Sequence, residues 1–355
     1  MKQRHIIFLL LLFSATLSVT AQNATNVRAR QDGETIVITY DLDKKANVRV
    51  LVATGQSNQY TELKAVTGSV GKDISAGVNK QIIWQPLQEQ TEFVAQNVRF
   101  KVEAKPYYYF SVSETKKIVF SPGNLQYRAS TNTWRFAPHQ WEYIGAANVK
   151  ILITSDGWID IFGWSGSTGA VKWGIGTSQS DSDYSGDFVD WGMNIGNGKM
   201  WYTLTGDEWL YLRFKRRNAD KLIGVAHINL NADGTKYANG LILLPDNWIF
   251  TTGITFRSGF ASAYSAQAYA DYQTFSLSDW KKLEAAGAVF LPAAGDYYPY
   301  EERNMLHGEG TYWAATYHYS DSADGFYFYS NSAYTGGSSR YSGMAVRLVR
   351  DFISE

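Results

Sequence analysis

Apolar and polar residues alternate over short stretches of the chain, and the first of these lie between residues 23 and 105. The runs from Thr35 to Leu42, Val48 to Val52 and Val98 to Ala104 place an apolar side chain at every second position. A period of two residues predicts β-strands with one buried face. Turn-favouring pairs such as Asp32-Gly33 separate the runs. About seven short strands at this spacing predict an immunoglobulin-like or fibronectin-like β-sandwich over residues 22–105.

A second series of short strands follows Lys105-Pro106. We place a domain boundary there, because proline cannot donate a hydrogen bond to a continuing strand. The apolar stretches 240–245 and 288–292 are predicted to be buried strands of this second domain. The chain is therefore expected to be mainly β, with an α+β domain over residues 107–352.

Two helices are predicted within the second domain. Thr205 and Glu208 have the spacing of a capping box, in which each side chain accepts a hydrogen bond from the other residue's backbone. Ser278 precedes a second helical stretch, which Gly287 is expected to end. Each helix carries a Trp one turn before a Leu and so presents an apolar face.

The stretch from residue 310 to 350 combines two apolar ends with a polar, aromatic middle. The ends are predicted to be strands, with Trp313 and Val346 pointing into the core. The middle is rich in Tyr, Ser, Asn and Gly, and Tyr offers rigid contact area while the small polar residues offer adaptable hydrogen bonds. We expect a ligand to bind here, with its contact residues clustered on one face. The candidate ligand-binding residues are Tyr317, His318, Tyr319, Asp321, Tyr329, Asn331, Tyr334, Arg340 and Tyr341.

Three sequence motifs resemble C-type-lectin-like domains of the formylglycine-generating-enzyme type, a fold also used by variable proteins of diversity-generating retroelements. They are the segments Tyr312-Trp313-Ala314-Ala315, Gly343-Met344-Ala345-Val346-Arg347-Leu348-Val349-Arg350 and Leu204-Thr205-Gly206-Asp207-Glu208-Trp209. The overall pattern is similar to that of secreted Bacteroidetes proteins. The resemblance covers residues 107–352 and implies a C-type-lectin-like fold with two helices. Formylglycine-generating activity depends on active-site cysteines, and this chain contains none, so that activity is not expected here.

Composition and the N-terminal residues limit the functions and the cellular location that can be expected of this protein. The 355-residue chain has 33 basic and 33 acidic side chains, which gives no indication of nucleic-acid binding. Residues 1–21 combine Lys2 and Arg4, a short apolar run and a small-residue cleavage site, as a signal peptide does. No later stretch is long and apolar enough to span a membrane. A secreted or cell-envelope location is therefore expected. Without cysteine, disulfides and thiol chemistry are excluded.

One acidic loop is a candidate metal site. Asp181, Asp183 and Asp187 alternate as calcium ligands do, but Gly192 occupies the position where a bidentate Glu is expected. The four histidines beyond the first 21 residues lie at no metal-ligand spacing. Apart from this calcium candidate, no cofactor is expected.

The combined patterns predict an exported, non-catalytic adhesion protein that recognises a glycan or a protein. A secreted hydrolase is one alternative, with its site in the Trp-rich loops between residues 155 and 176. Trp158, Trp164 and Trp173 in those loops either line a sugar site or build a core. A structural subunit of a surface assembly is the other alternative.

Overall fold

The computed structural model describes residues 6–9, 24–43, 45–144, 156–196, 200–248, 254–297, 306–319 and 321–352. The described chain is mainly β, with several sheets and few helices. It divides into two compact units, Met1–Tyr107 and Tyr108–Ile353.

The first unit is built from short strands and one helical turn. Its strands form the sheets β2-β3-β8-β6 and β10-β4-β5, with β7 also paired to β4. β1 pairs with β9 in parallel and lies within the predicted signal peptide, which stays a prediction. The elements are β1 (Ile6–Leu9), β2 (Ala24–Asp32), β3 (Thr35–Leu42), β4 (Ala46–Ala53), β5 (Thr61–Glu62), β6 (Val66–Gly68), β7 (Gly71–Ile74), β8 (Gly77–Trp84), α1 (Pro86–Glu89), β9 (Phe93–Gln96) and β10 (Arg99–Pro106).

One hydrophobic core joins the two larger sheets of this unit. Ile36 and Ile38 of β3 contribute to the same buried cluster as Val50 of β4 and Val102 of β10. The alternating apolar positions therefore supply the core, as the period of two predicts. The predicted strands over residues 35–42, 48–52 and 98–104 are confirmed.

The second unit contains a five-stranded sheet, β16-β24-β21-β22-β23, and a four-stranded sheet, β19-β17-β18-β20. Two three-stranded sheets, β11-β12-β25 and β14-β13-β15, accompany them. The strands are β11 (Phe110–Ser111), β12 (Lys117–Phe120), β13 (Leu125–Arg128), β14 (Thr133–Phe136), β15 (Trp158–Ile159), β16 (Ile161–Phe162), β17 (Ile223–Asn229), β18 (Tyr237–Leu243), β19 (Thr274–Ser276), β20 (Val289–Pro292), β21 (Glu309–Tyr319), β22 (Ser322–Tyr329), β23 (Ser332–Ser339), β24 (Met344–Ala345) and β25 (Val349–Asp351). The helices are α2 (Gly206–Leu210), α3 (Ala266–Tyr272) and α4 (Leu277–Ala285). The predicted apolar strands at 240–245 and 288–292 correspond to β18 and β20, which pair with each other.

Helix α2 begins at the predicted capping box. The Thr205 hydroxyl accepts a hydrogen bond from the Glu208 backbone N–H, and the Glu208 carboxylate accepts one from the Thr205 N–H. Trp209 is fully buried and stacks on Phe326 of β22, with ring centroids 4.6 Å apart. Trp209 also contacts Tyr312 of β21, with ring centroids 6.4 Å apart, so the helix packs on the C-terminal strands through this indole.

Helix α4 starts two residues earlier than its sequence indicates. Its N-cap is Ser276, whose hydroxyl accepts a hydrogen bond from the Asp279 N–H, so the expected cap Ser278 lies inside the helix. Ser276 has the extended backbone that a cap requires. Trp280 is buried, as predicted. Gly287, with φ of 95°, follows the helix in the left-handed conformation expected of a helix stop.

Helix α3 is not predicted by the sequence patterns above. Ser265 caps it by accepting a hydrogen bond from the Ala268 N–H. Tyr269 is buried, and its hydroxyl donates to the Gly308 carbonyl. One buried tyrosine therefore anchors a helix whose sequence has no clear apolar stripe.

The five-stranded sheet is buried on both faces along much of its length. Phe326 and Phe328 of β22 pack in one hydrophobic cluster, and Ala323 and Tyr327 of the same strand pack in another. Trp313 and Val346 belong to the second cluster and are buried, as predicted. Side chains that reach solvent from this sheet are thus confined to its ends and its outer strand.

Candidate ligand-binding surface

The polar, aromatic middle of the C-terminal segment forms strands. β22 and β23 pair antiparallel from Ser322–Ser339 to Tyr329–Ser332, with the two-residue turn Ser330-Asn331 between them. The segment between the strands predicted at the two apolar ends therefore itself contains strands. Ser, Gly and Tyr are accommodated because the sheet pairs them across strands, where Gly325 faces Gly336 and Tyr327 faces Tyr334.

The nine candidate residues do not share one face of the sheet. The His318 side chain contacts Asp324, which lies on the same face of β22 as Phe326 and Phe328. Tyr334 instead stacks on Tyr327, on the opposite face. The expectation of one clustered face is wrong because side chains in a strand alternate between the two faces.

Four of the candidates lie where β21 ends and the chain turns into β22. We call Tyr317, His318, Tyr319 and Asp321 the hairpin-end patch. Tyr317 and Tyr319 each leave 66% of their surface exposed, and Asp321 is exposed beside them. The ring of His318 meets that of Tyr319 edge to face, with centroids 4.5 Å apart. Large aromatic surface is thus presented to solvent at the end of a strand whose first six residues are buried.

A chain of hydrogen bonds supports this patch from below. Asp324 Oδ1 lies 2.8 Å from His318 Nδ1, and Asp324 Oδ2 accepts a hydrogen bond of 2.7 Å from Thr316 Oγ1. Thr316 Oγ1 in turn accepts one from the Gly206 N–H at the start of α2. The orientation of the His318 ring is therefore set by a helix terminus as well as by its own strand.

A separate tyrosine cluster lies at the opposite end of β22, near the turn that connects β22 to β23. The Tyr334 ring stacks on both Tyr327 and Tyr329, with centroids 5.2 and 6.1 Å away, and Tyr264 meets Tyr329 edge to face at 5.0 Å. Tyr334 is 43% exposed, and its hydroxyl lies 3.3 Å from that of Tyr329. Asn331 is exposed in the adjacent turn. About 20 Å of strand separates Ala323, the partner of Tyr317, from Tyr329.

Two buried carboxyl groups lie behind this tyrosine cluster, and sequence reasoning did not identify them. Glu309 is 7% and Asp296 8% exposed. The Tyr329 hydroxyl donates to Glu309 Oε1 over 3.2 Å, and the Glu309 carbonyl accepts from the N–H of Gly295, next to Asp296. Burial, and then the negative charge of Asp296, raise the pKa of Glu309 to about 7. Glu309 can therefore hold or release a proton near neutral pH.

Arg340 is buried, contrary to its expected role as an exposed ligand contact. It is 5% exposed, and its guanidinium lies over the Trp164 ring at 4.5 Å. Its backbone N–H donates to Asp181 Oδ1 over 2.9 Å. The physical reason is that an arginine stem and planar head can cover an indole in a core. The neighbouring Tyr341 is half-buried.

The acidic loop predicted as a calcium candidate is engaged in protein contacts. Asp181 accepts from the backbone N–H of Arg340, and Asp183 Oδ2 accepts from Ser178 Oγ over 2.5 Å. The Asp187 N–H donates to Ser167 Oγ. Across the described ranges, no group of three or more His, Asp or Glu side chains is arranged to hold a metal ion. Calcium binding stays a prediction.

The Trp-rich loops contribute to the core of the second unit. Trp164 is fully buried, and its Nε1–H donates to the Ala314 carbonyl. Trp173 packs against the same hydrophobic cluster, and Trp158 stacks with Arg135. These contacts give the three indoles a role in packing.

Comparisons with known proteins give no guide to function. No family model, no curated protein and no solved structure matches the chain. Within the part of the chain that the structure describes, no helix has both the length and the apolar character needed to cross a membrane.

Proposed function

We propose that this protein is an exported, non-catalytic binding protein that recognises a glycan or a protein through the hairpin-end patch. In this proposal the first unit is an immunoglobulin-like or fibronectin-like spacer, and the second has a C-type-lectin-like fold. The observation that carries the proposal is the exposure of Tyr317 and Tyr319, each 66%, at the end of a buried strand.

The contrast with the rest of the chain supports this choice. Trp164, Trp191, Trp209, Trp280 and Trp313 are all fully buried. Two neighbouring tyrosines that stay exposed beside a His and an Asp have the composition of contact surfaces, where Tyr is among the residues that supply most of the binding energy.

The support beneath the patch favours binding as well. The Tyr317 backbone is paired with Ala323 in the sheet, and His318 is held by Asp324. A surface fixed before the ligand arrives loses less conformational entropy on binding. A patch with this support is therefore suited to recognition without rearrangement.

A binding screen tests this proposal. The chain is applied to a glycan array and to a panel of extracellular-matrix proteins, and every positive signal is repeated with Tyr317→Ala and Tyr319→Ala. Tyr60→Ala is the matched control, because Tyr60 is also exposed but lies in the first unit. We expect both patch variants to lose the signal and the control to keep it. Equal binding by all four proteins would refute the assignment of the patch.

A second candidate function is a secreted hydrolase, and Glu309 is the observation that favours it. Its raised pKa is typical of a general acid, and Asp296 supplies a second carboxyl nearby. Incubation with a set of chromogenic glycosides, comparing wild type with Glu309→Gln, tests this candidate. Product formation that the variant abolishes supports it, and no product from the wild type rejects it for these substrates.

A further inference from the structure

Helix α2 leads into a strongly basic stretch of chain, residues 211–221, which we call the basic segment. It holds five of the chain's 33 basic side chains and one of its 33 acidic side chains, Asp220. Its first part, Tyr211–Lys215, continues α2 as a π-helical turn. The excess of positive charge is local, because the rest of the chain has more acidic than basic side chains.

The side chains of the basic segment divide between the core and solvent. Leu212 and Arg216 are buried. Lys215, Arg217 and Lys221 are exposed, and no described carboxylate forms an ion pair with any of these three. The segment therefore presents three unpaired cations to solvent. Basic side chains in the last turn of a helix are favoured by the helix dipole, but Arg217 and Lys221 lie beyond that turn.

Buried Arg216 holds the basic segment in one conformation. Its Nη1 donates to the Leu244 carbonyl over 2.8 Å and to Asp246 Oδ1 over 3.1 Å. Its Nη2 donates to the Leu222 carbonyl over 3.1 Å. These bonds tie the segment to the residues next to β17 and β18. The exposed cations on either side of Arg216 are thus held in place, which lowers the entropy lost when they meet a partner.

An exposed phenylalanine lies among these cations. Phe214 leaves 54% of its surface exposed and is the only phenylalanine among the exposed large hydrophobic side chains of the described chain. The Arg213 guanidinium lies over the Phe214 ring, 4.4 Å from its centroid, and 4.8 Å from the centroid of Phe260. One contact thus supports the Phe214 ring while half of its surface stays in water. Because this ring has no polar group, its exposure favours a partner that is apolar as well as anionic.

We propose that the basic segment docks on an anionic membrane surface. Lys215, Arg217 and Lys221 contact lipid phosphates, and the Phe214 ring enters the boundary between headgroups and acyl chains. Each basic side chain near an anionic lipid surface strengthens binding about fivefold. Aromatic side chains beside basic ones are typical of surfaces that lie in this boundary. A soluble polyanion would use the cations alone and leave Phe214 in water.

The basic segment is separate from the hairpin-end patch. The Gly206 N–H at the start of α2 donates to Thr316, next to Tyr317 of the patch. Phe214 lies eight residues further along the chain, about 12 Å along the helix. Membrane docking therefore goes beyond the proposed binding function and does not depend on it.

A vesicle-binding experiment tests the proposal. The full chain is sedimented with vesicles of phosphatidylcholine alone, and with vesicles of equal parts phosphatidylcholine and phosphatidylglycerol. We expect binding to the anionic vesicles only, and we expect added NaCl to weaken it because salt screens exposed charges. Absence of binding to the anionic vesicles at low salt, or equal binding to both kinds, would overturn the proposal.

Matched single substitutions locate the contact. Lys215→Gln removes one charge from the basic segment and should weaken vesicle binding about fivefold. Lys236→Gln makes the same change in an exposed lysine next to Tyr237, the partner of Asn229 at the far end of β17. That end lies about 20 Å of strand from Ile223, so this variant should bind as wild type does. Equal losses in the two variants would contradict docking through the segment.

Phe214 distinguishes a membrane from a soluble polyanion. We expect Phe214→Ala to weaken binding to anionic vesicles about fivefold, because the ring loses its burial among lipids. Its binding to dextran sulfate should equal that of wild type, and Phe214→Trp should keep vesicle binding. Melting temperatures show that each variant is folded. Unchanged vesicle binding by folded Phe214→Ala, or an equal loss towards dextran sulfate, would contradict docking on a lipid surface.

Discussion

Asp324 connects the exposed His318 to the start of helix α2. Its Oδ1 lies 2.8 Å from His318 Nδ1, while its Oδ2 accepts from Thr316, which in turn is bonded to the Gly206 N–H. A Cβ on Gly206 would approach Asp324 Oδ2 to 2.6 Å, so a side chain at this position would displace the Asp324 carboxylate. The exposed His318 ring is thereby held in place by the first turn of helix α2.

This connection predicts the effect of changing Asp324. Asp324→Ala removes both hydrogen bonds and should lower the free energy of unfolding by about 1–3 kcal/mol. It should also weaken binding at the hairpin-end patch, because His318 loses its support. Asp324→Asn is the control, since it keeps one acceptor oxygen. Urea unfolding and a binding titration with a ligand from the screen check both effects. Wild-type affinity in the folded Ala variant would show that the connection is not needed for recognition.

Arg340 is expected to stabilise the fold without contacting ligand. Its guanidinium is buried over Trp164, and a desolvated cation–π contact contributes about 2 kcal/mol. Arg340→Ala should therefore lower the melting temperature, and Arg340→Lys should restore part of the loss. Thermal unfolding of the three proteins measures this. Lost binding at an unchanged melting temperature would instead restore Arg340 as a ligand contact.

Glu309 should make stability depend on pH. Its pKa rises from 4.5 to about 7 in the folded chain, where Asp296, Tyr329, Tyr264 and Tyr269 surround it. The folded state therefore prefers the protonated carboxyl. The contribution of protonated Glu309 to the free energy of unfolding is fully present below pH 4.5 and is lost as the pH rises through 7. The loss is about 3 kcal/mol, because each tenfold change in proton affinity corresponds to about 1.4 kcal/mol.

Urea unfolding at several pH values between about 4 and 8 checks this effect. Glu309→Gln keeps a hydrogen-bonding side chain but cannot ionise, so its stability should fall less across the same range. The difference between the two proteins removes the contributions of other titrating groups. Parallel curves for wild type and variant would show that Glu309 does not change its protonation in this range.

The two units are expected to fold independently. One hydrophobic cluster draws its residues from positions 24–104, and the other three draw theirs from positions 110–349. Limited proteolysis should cut between Pro106, where β10 ends, and Phe110, where β11 begins, and leave two stable fragments. A chain that resists cleavage there and unfolds as one cooperative unit would contradict this division.

Local patterns in the sequence were sufficient to predict many elements. The alternation from Thr35 to Leu42 and the capping box at Thr205 and Glu208 are short-range features, and both are found in the structure. The burial of Trp313 and Val346 also follows from apolar strands at the chain's end. Such features are readable because the residues that interact are close in sequence.

The remaining features depend on contacts between distant residues. β22 and β23 have the composition of loops, and their strand structure comes from cross-strand pairing. The burial of Arg340 depends on Trp164, which lies far away in the sequence. Glu309 gains its shifted pKa from burial and from Asp296, neither of which a single sequence reveals. The predicted site residues are divided between the two faces of the five-stranded sheet because of the register in which its strands pair. That register is set by the turns between the strands.

The most direct test of the proposed function is the binding of a single ligand by wild type and Tyr319→Ala, with melting temperatures recorded in parallel. Tyr319 is two-thirds exposed, so its removal should leave the melting temperature unchanged. Truncation of a contact tyrosine should weaken binding by about 2 kcal/mol or more, or roughly thirtyfold. Tyr60→Ala should bind as wild type does. Unchanged affinity of a folded Tyr319→Ala for every ligand that wild type binds would contradict recognition through the hairpin-end patch.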